Sequence, residues 1–394
     1  MVATTVSHRQ IRKLGEEWDV PRHRISGTSA VDGSRNAALN CSWRRWLNMN
    51  AAHNWTIHRA VDGDLERMRV LYRDVWKYNR PPSFDLWRFF SLPEGPVPAA
   101  LAVDGHRLGG SYTLWPAKLK IGSDVIKGAQ SMDTMTHPDY QGQGVFTKLA
   151  EACYDIAAVD GYRVLYGFPN PLSYPGFTKR LGWTHTGDIT HWIRLIKPSR
   201  HPRMPAIAKP FADSIPAFLP KGRTRGYVID RNRPPVCQLL PLLESWNKTV
   251  GPCAVNRSIE WLDWRYSAAA KNDYRWVVAS TNGKMKAMGI WGRQTSAWGK
   301  AADNRAHLVE LLGDDPGALR AVLATIIGDA RTGNAILLET LCNIEPICQI
   351  LRKAGFYRHR RAPFIVKKLG NTPLDVEVLD HRNWRIFGGD VDTF

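Results

Sequence analysis

The chain is short of acids. Its 394 residues carry 36 Asp and Glu against 54 Lys and Arg, a formal net charge of +18. Such a surface attracts nucleic acid, but equally nucleotide cofactors and acidic substrates, so charge alone does not choose between them. Paired cysteines are also lacking. Six are scattered along the chain, none in C-x-x-C spacing, and the closest two, Cys342 and Cys348, have no His or Cys cluster beside them. That argues against a zinc site and against a disulfide framework. Long apolar runs are missing: none approaches the roughly 20 residues that span a bilayer, and the best, Ala318 to Ile327, is broken by Arg320. The opening "MVATTVSHRQIRK" has no apolar core of the secretory kind. The expectation is a cytoplasmic protein without membrane insertion, of ordinary globular composition, and long enough for two domains.

What is present has an order. Residues 1–54 read as a basic extension, with Trp43 and Trp46 able to dock on the body. A first domain, 55–196, opens on the strand "WTIHRAV". Asp62 is expected to cap a helix that presents Leu65, Met68, Tyr72, Val75 and Trp76 on one face. Two hairpins follow, turning at Asp104-Gly105 and near Gly122. A helix with the stripe Phe146, Leu149, Cys153 and Ile156 ends at Gly161. A buried strand "YRVLYGF", a short helical segment "NPLSYPGFTKRLGW" and a last strand "HTGDITHWIRLI" complete the domain. Residues 197–235 are rich in proline and basic residues and read as a linker. Residues 236–370 repeat the element order of the first domain, and "FTKRLGW" matched with "ILRKAGF" is the clearest sign of an internal repeat. Residues 371–394 read as a tail.

The stretch "MDTMTHPDYQGQGVFTKLAEACYDIA" joins a strand to a helix through a loop with Gly142 and Gly144. Glycines there let backbone N–H groups approach a ligand, and the helix behind adds unpaired N–H groups and the positive end of its dipole. The first helical turn holds no acid and carries Lys148. This is a site suited to phosphate. The Walker pattern is absent, and the dinucleotide pattern G-x-G-x-x-G fails because Thr147 stands at its third glycine.

The segment resembles the signature of the GNAT superfamily of acyl-CoA N-acyltransferases, Q/R-x-x-G-x-G/A, here Gln141-Gly142-Gln143-Gly144-Val145-Phe146. Phe146 departs from it, standing where Gly or Ala is typical. "HPDYQGQG" looks like the family's lead-in, and "NPLSYPGFTKRLGW" resembles its N-x-x-A…Y-x-x-x-G-F segment. The resemblance implies α/β (α+β) tandem GNAT-like folds, each a mixed, mostly antiparallel twisted sheet flanked by helices. It implies an N-acetyltransferase that moves an acetyl group from acetyl-CoA to a primary amine of a small molecule, an amino sugar or amino acid derivative, by direct attack and without a metal. Met135 and Thr136 would offer backbone groups to the pantetheine, Gln141, Gly142, Gln143, Gly144, Val145 and Phe146 would cradle the pyrophosphate, and Asn170 would touch the pantetheine.

Direct attack needs a neutral amine and hence a base. Asp133 is the first candidate, two residues from the pantetheine contact and so on the same strand face; the alternative is a carboxylate bonded to a neighbouring strand. For the thiolate's proton, the family's usual tyrosine position holds Thr178, and Tyr174, one turn earlier, is the nearby phenol; it either replaces the usual acid or simply packs. His185 and His191 share a strand face and are read as half-exposed residues more than as ligands. In "WKYNRPPSFDLWRFF", the aromatics Trp76, Tyr78, Phe84, Trp87 and Phe89 either wall an acceptor site or pack in the core.

In the second domain the matching turn is "GDDPGALR". Asp314 and Asp315 can cap the helix themselves and repel a pyrophosphate, and Pro316 removes an N–H. A degenerate copy is expected there, one that stabilises the first domain and walls the acceptor cleft. "SIEWLDWRY" resembles a segment of two-domain GNAT proteins linked to polysaccharide metabolism, a weak hint of an amino-sugar acceptor. Two other readings stay open. In one, the acceptor is a nucleic acid or an acidic protein held by the linker and by Arg358, Arg360, Arg361, Lys367 and Lys368. In the other, the chain is a non-catalytic CoA-binding module.

Overall fold

Strand β1 (Thr56–Arg59) starts the described chain and pairs with β2 (Ala99–Asp104). β2 turns into β3 (Arg107–Ile121), and β3 turns at Gly122 into β4 (Asp124–Thr136), all antiparallel. The structure is a computed structural model that describes residues 54–201, 204–214, 224, 226–267, 272–294, 304–371 and 373–392. The extension with Trp43 and Trp46 lies outside the described residues, as do Pro202, Arg203, Pro216, Pro220, Lys221, Arg223 and Arg225 of the linker.

β3 is buried along nearly its whole length because both its faces are covered. Tyr112 and Leu114 point into a core beneath helix α3 (Val145–Val159), whereas Trp115, Ala117, Leu119 and Ile121 point into a second core on the other face. That second face carries α1 (Leu65–Trp76) and α2 (Pro82–Phe90). Asp62 does not cap α1. It accepts from the N–H of its neighbour Gly63, while Asp64, at the N-cap position, accepts from Val61 N–H at 3.1 Å.

After α3 the chain crosses to β5 (Val164–Gly167), parallel to β4, then forms α4 (Tyr174–Arg180) and β6 (Thr184–Leu195). The linker ends in a structured edge, β7 (Val228–Asp230), paired with β9 (Asn272–Thr281). Between them lie α5 (Val236–Thr249), the short β8 (Cys253–Val255) and α6 (Ile259–Arg265). β10 (Lys284–Gln294) and β11 (Arg305–Gly313) continue the antiparallel ladder. α7 (Pro316–Thr332) crosses to β12 (Leu337–Leu341), parallel to β11, and α8 (Glu345–Lys353) precedes β13 (Tyr357–Lys368).

The expected repeat is there, but its halves are interlocked. Among the described residues one 14-stranded sheet runs β1-β2-β3-β4-β5-β13-β6-β12-β11-β10-β9-β7, with β8 and β14 (Trp384–Arg385) off this path. Each half therefore gives its last strand to the other. β13 completes the first half beside β5, β6 completes the second beside β12, and the two pair with each other at the centre. The expected boundaries 55–196 and 236–370 fall across one continuous sheet. The expected tail is also core. Trp384, Ile386, Phe387 and Val391 are at most 2% exposed, and the segment crosses the shared face, with Trp384 paired to Cys253.

On that face α2 and α6 join the halves directly. Trp87 and Trp264 stack at 5.1 Å, and each indole N–H donates to the other residue's carbonyl. A stacked pair contributes about 0.5–1.5 kcal/mol beyond its burial. Among the described residues no helix is long and apolar enough to cross a membrane.

Candidate active site

The site begins where two parallel strands part. β4 and β5 pair through Gly128, Ala129 and Gln130 opposite Val164, Leu165 and Tyr166. Beyond Gln130, β4 continues for six residues with no strand on that side among the described residues, which leaves backbone groups open to a ligand. The unpaired stretch includes Met135 and Thr136, the expected pantetheine contacts.

Below the strand end, Gly142 and Gly144 have φ of +79° and +78°, the left-handed region that glycine enters at no steric cost. A Cβ at either would meet nothing within 4 Å, so the space above the loop is open. Gly144 is the N-cap of α3, no side chain caps that helix, and its first turn holds no acid. Gln143 pins the loop: it accepts from Trp55 Nε1 at 3.2 Å and donates to Asp139 O at 3.1 Å. Lys148 lies over the Trp55 ring. Gln141 is exposed and Val145 is buried under the loop. Phe146 does not stand in the cradle. Its ring packs between Tyr112 (6.2 Å) and Phe177 (5.6 Å), and a Cβ at Gly176 would lie 2.8 Å from it. The bulk absent at Gly176 makes room for the bulk added at Phe146.

A cavity of about 150 Å³ opens where the strands part. Its donor-side wall includes Met132, Asp133, Thr134, Phe168 and Asn170. The opposite wall is aromatic and charged, from Tyr72, Trp76, Tyr78, Phe84, Arg80 and Arg88. Ile365 of β13 and Asp392 come from the far end of the chain. The aromatic stretch divides accordingly: Trp76, Tyr78 and Phe84 reach the cavity, whereas Trp87 and Phe89 pack in the core.

Asp133 and Thr134 form a bulge, since Met132 pairs with Thr113 and Met135 with Ser111. Asp133 has φ of +43°, a conformation that costs a non-glycine residue about 1–2 kcal/mol. Its Oδ2 accepts from Arg80 Nη1 at 2.5 Å and from Arg88 Nε at 3.1 Å. Arg80 also lies 2.8 Å from Asp85 and rests on the Tyr72 ring at 3.8 Å. Burial works to raise the Asp133 carboxyl, but Arg88 and Arg80 outweigh it and hold the pKa below its ordinary value. Asp85 goes the other way: burial pushes it up to about 6 against the pull of Arg80. Asp133 is thus in the cavity as expected, but two guanidiniums make it a weak proton acceptor, and its hydrogen bonds order Arg80 and Arg88.

Asn170 lines the cavity, and its Oδ1 accepts from the N–H groups of Leu172 and Ser173, both at 2.9 Å, which shapes the turn into α4. Tyr174 is not brought to the cavity wall. Its hydroxyl bonds His185 Nδ1 at 2.8 Å, and its ring packs at the edge of the core beneath α3. His191 is not near it either; it is buried against Glu339 at 3.1 Å in the seam between β6 and β12. Arg80, Arg88, Gln130 and Asp392 escaped the reading of the sequence. For Arg88 there was a signal, an arginine three residues after Asp85 amid Phe84, Trp87 and Phe89; for Asp392 there was none.

In the second half, the equivalent helix start is closed. Asp315 is the N-cap of α7 and accepts from the N–H groups of Gly317 and Ala318, at 2.7 and 3.1 Å, and from Tyr227 Oη.

Residues 56–186 match the family model of the acetyltransferase (GNAT) domain. The chain carries that domain, has the GNAT superfamily fold, and is by this class an acyltransferase enzyme. Solved structures agree on the fold. A probable N-acyltransferase from Enterococcus faecalis superposes with a TM-score of 0.58 at 14% identity, covering 80% of this chain and 72% of that one. A GCN5-related N-acetyltransferase from Anabaena variabilis gives 0.57 at 9% identity, over 80% and 73%. A tandem GNAT protein from the clavulanic acid biosynthesis pathway gives 0.55 at 13% identity, over 81% of this chain and all (100%) of that one. No curated protein matches the chain. Among the described residues no group of three or more His, Cys, Asp or Glu is placed to hold a metal ion.

Proposed function

We propose that the protein transfers an acetyl group from acetyl-CoA to the primary amine of a small molecule bound in the cavity. The observation that carries this reading is the cavity's position, between the open edge of β4 and the aromatic, charged wall of α1 and α2. Acetyl-CoA supplies a thioester carbonyl. The open N–H groups at Gly142 to Phe146 suit its pyrophosphate, and the unpaired edge at Met135 and Thr136, with Asn170, suits its pantetheine arm.

The wall also speaks to the acceptor. Two arginines, Arg80 and Arg88, face three carboxylates, Asp85, Asp133 and Asp392. Arg80 and Arg88 are paired with Asp133 and Asp392 in the lining, so it offers no excess of positive charge, and the aromatic faces beside it attract cations. An ammonium fits such a site and a phosphate backbone does not. Three of the basic residues offered for the nucleic-acid reading have partners within the fold: Arg360 Nε donates to His191, Lys367 Nζ to Leu181 O, and Arg358 lies over Trp192.

The test is acetyl-CoA binding by calorimetry, followed by thiol release with a panel of small primary amines, amino sugars and amino acid derivatives included. Binding with amine-dependent thiol release supports the reading. Binding without release from any amine leaves a CoA-binding module, and no binding overturns the proposal.

A further inference from the structure

We propose that Asp392, two residues from the C-terminus, is the carboxylate that takes the proton from the acceptor amine. This rests on the acyl-transfer reading above and deepens it.

The geometry is specific. Asp392 lines the same cavity as Asp133. Its Oδ1 accepts from Gln130 Nε2 at 2.5 Å, and its own N–H donates to Gln130 Oε1 at 3.1 Å, so the glutamine amide clasps the residue from two sides. Its Oδ2 accepts from Arg88 Nη2 at 2.7 Å. Gln130 is the last residue of β4 that pairs with β5. Asp392 is therefore fixed at the fork of the two strands, where the thioester and the amine must meet. The segment before it is held in turn by both halves. Arg257 bonds Asp390 at 2.6 Å, Arg265 Nη2 donates to Val391 O at 3.0 Å, and Tyr166 Oη donates to Asp390 O at 3.0 Å.

Two carboxylates thus share Arg88 but not the same surroundings. Asp133 is bridged by two guanidiniums, whereas Asp392 has one. The charged and titratable groups facing Asp392 are Arg88 of α2, Asp133 of β4, Tyr166 of β5 and Arg265 of α6. Burial pushes the Asp392 carboxyl up, Arg88 pulls it down and Asp133 adds to the rise; the result lies above the ordinary value, while Asp133 lies below it. Neighbouring carboxylates pushed apart in this way divide their work between proton acceptor and fixed charge.

In the step, the amine arrives as an ammonium and gives one proton to the Asp392 carboxylate. The freed nitrogen lone pair forms the N–C bond at the thioester carbonyl, and the C–S bond breaks. The nitrogen's second proton goes to the leaving thiolate, and Asp392 returns its proton to solvent. The balance is ammonium and thioester in; amide, free thiol and one proton out.

The test uses the full chain, with an amine that the wild type turns over. Asp392→Asn keeps the shape and removes the titrating group; Asp392→Glu keeps the titrating group, and Asp133→Asn serves as the comparison. The expected loss for Asp392→Asn is about 100-fold in kcat at neutral pH. The loss should shrink as the pH rises and the amine deprotonates unaided, and acetyl-CoA affinity by calorimetry should stay within about twofold, since no donor contact is removed. Asp392→Glu should keep an acidic limb, and in Asp133→Asn the limb should survive but move to lower pH, because the Asp133 charge adds to the rise of Asp392. A loss in Asp392→Asn that is equal at every pH, or a retained acidic limb, overturns the proposal. So does loss of acetyl-CoA binding in that variant, which would make the residue structural. If the wild type itself turns over no amine, the acyl-transfer reading has failed first, and this inference with it.

Discussion

Replacing Gly144 by Ala and by Asp separates the shape of the glycine loop from its charge. Gly144 has φ of +78°, so either side chain costs about 1–2 kcal/mol of backbone strain, Asp somewhat less because it tolerates this region better. Neither meets a steric clash, since nothing lies within 4 Å of the Cβ position. Both variants should therefore fold, with melting temperatures lowered by a few degrees at about 2–4 °C per kcal/mol. The difference lies in binding. A carboxylate roughly 4–5 Å from a pyrophosphate repels each unit of charge by about 3–4 kcal/mol at an effective dielectric of 20. The loop is exposed, so screening reduces this to ~1.5–3 kcal/mol. Gly144→Asp should bind acetyl-CoA roughly 10–100-fold more weakly than Gly144→Ala, and the gap should narrow in high salt. Calorimetry at two salt concentrations reads both effects. Equal affinity of the Ala and Asp variants would refute the assignment of a phosphate site to this loop.

Two more outcomes follow from packing and charge. Gly176→Val places a side chain 2.8 Å from the Phe146 ring and should cost about 1–3 kcal/mol in chemical unfolding; pairing it with Phe146→Ala should recover part of that loss, and no recovery would deny the contact. Glu339 is buried between His191 and His307, at 3.1 and 3.3 Å. Burial acts to raise its carboxyl, but the two histidines hold it well below the ordinary 4.5. A folded pKa depressed in this way gives stability that is fully present above the ordinary value and is lost as the pH falls through the folded one. Glu339→Gln should therefore be less stable than the wild type at neutral pH, with the gap closing in acid; a gap that is constant with pH would refute it.

Much of the donor side was legible because its physics is local. A glycine pair, an acid-free helix start and a strand before it are all written within the stretch from Met132 to Ala157. The strand and helix order of both halves was legible for the same reason. The meaning of Phe146 was not. It depends on Gly176, thirty positions away, and reads only as a departure from the signature until the two are seen together. Asp133 was read as a candidate base, yet its chemistry depends on Arg80 and Arg88, which reach it from α2 and the turn before it. Asp392 was beyond reach, since contact with Gln130 over 262 positions leaves no local pattern. The exchange of β6 and β13 was hidden because both strands carry the pattern of a final sheet strand, and pattern alone does not say whose sheet they finish.

That exchange bears on why a half that caps its own helix start persists in the chain. Asp315 satisfies the N–H groups that a phosphate would need, so the second half is poorly suited to a donor of its own. Yet the first half is incomplete without it. β13 covers the edge of β5 and places Ile365 in the cavity, and Arg257 and Arg265 hold the segment that delivers Asp392. Cutting the chain after residue 196 would leave β5 without its neighbour and the cavity without a wall. The duplicated fold is then a single cavity with two contributors: one repeat supplies the open strand edge and the glycine loop, and the other supplies the strand and the last described segment that close the cavity.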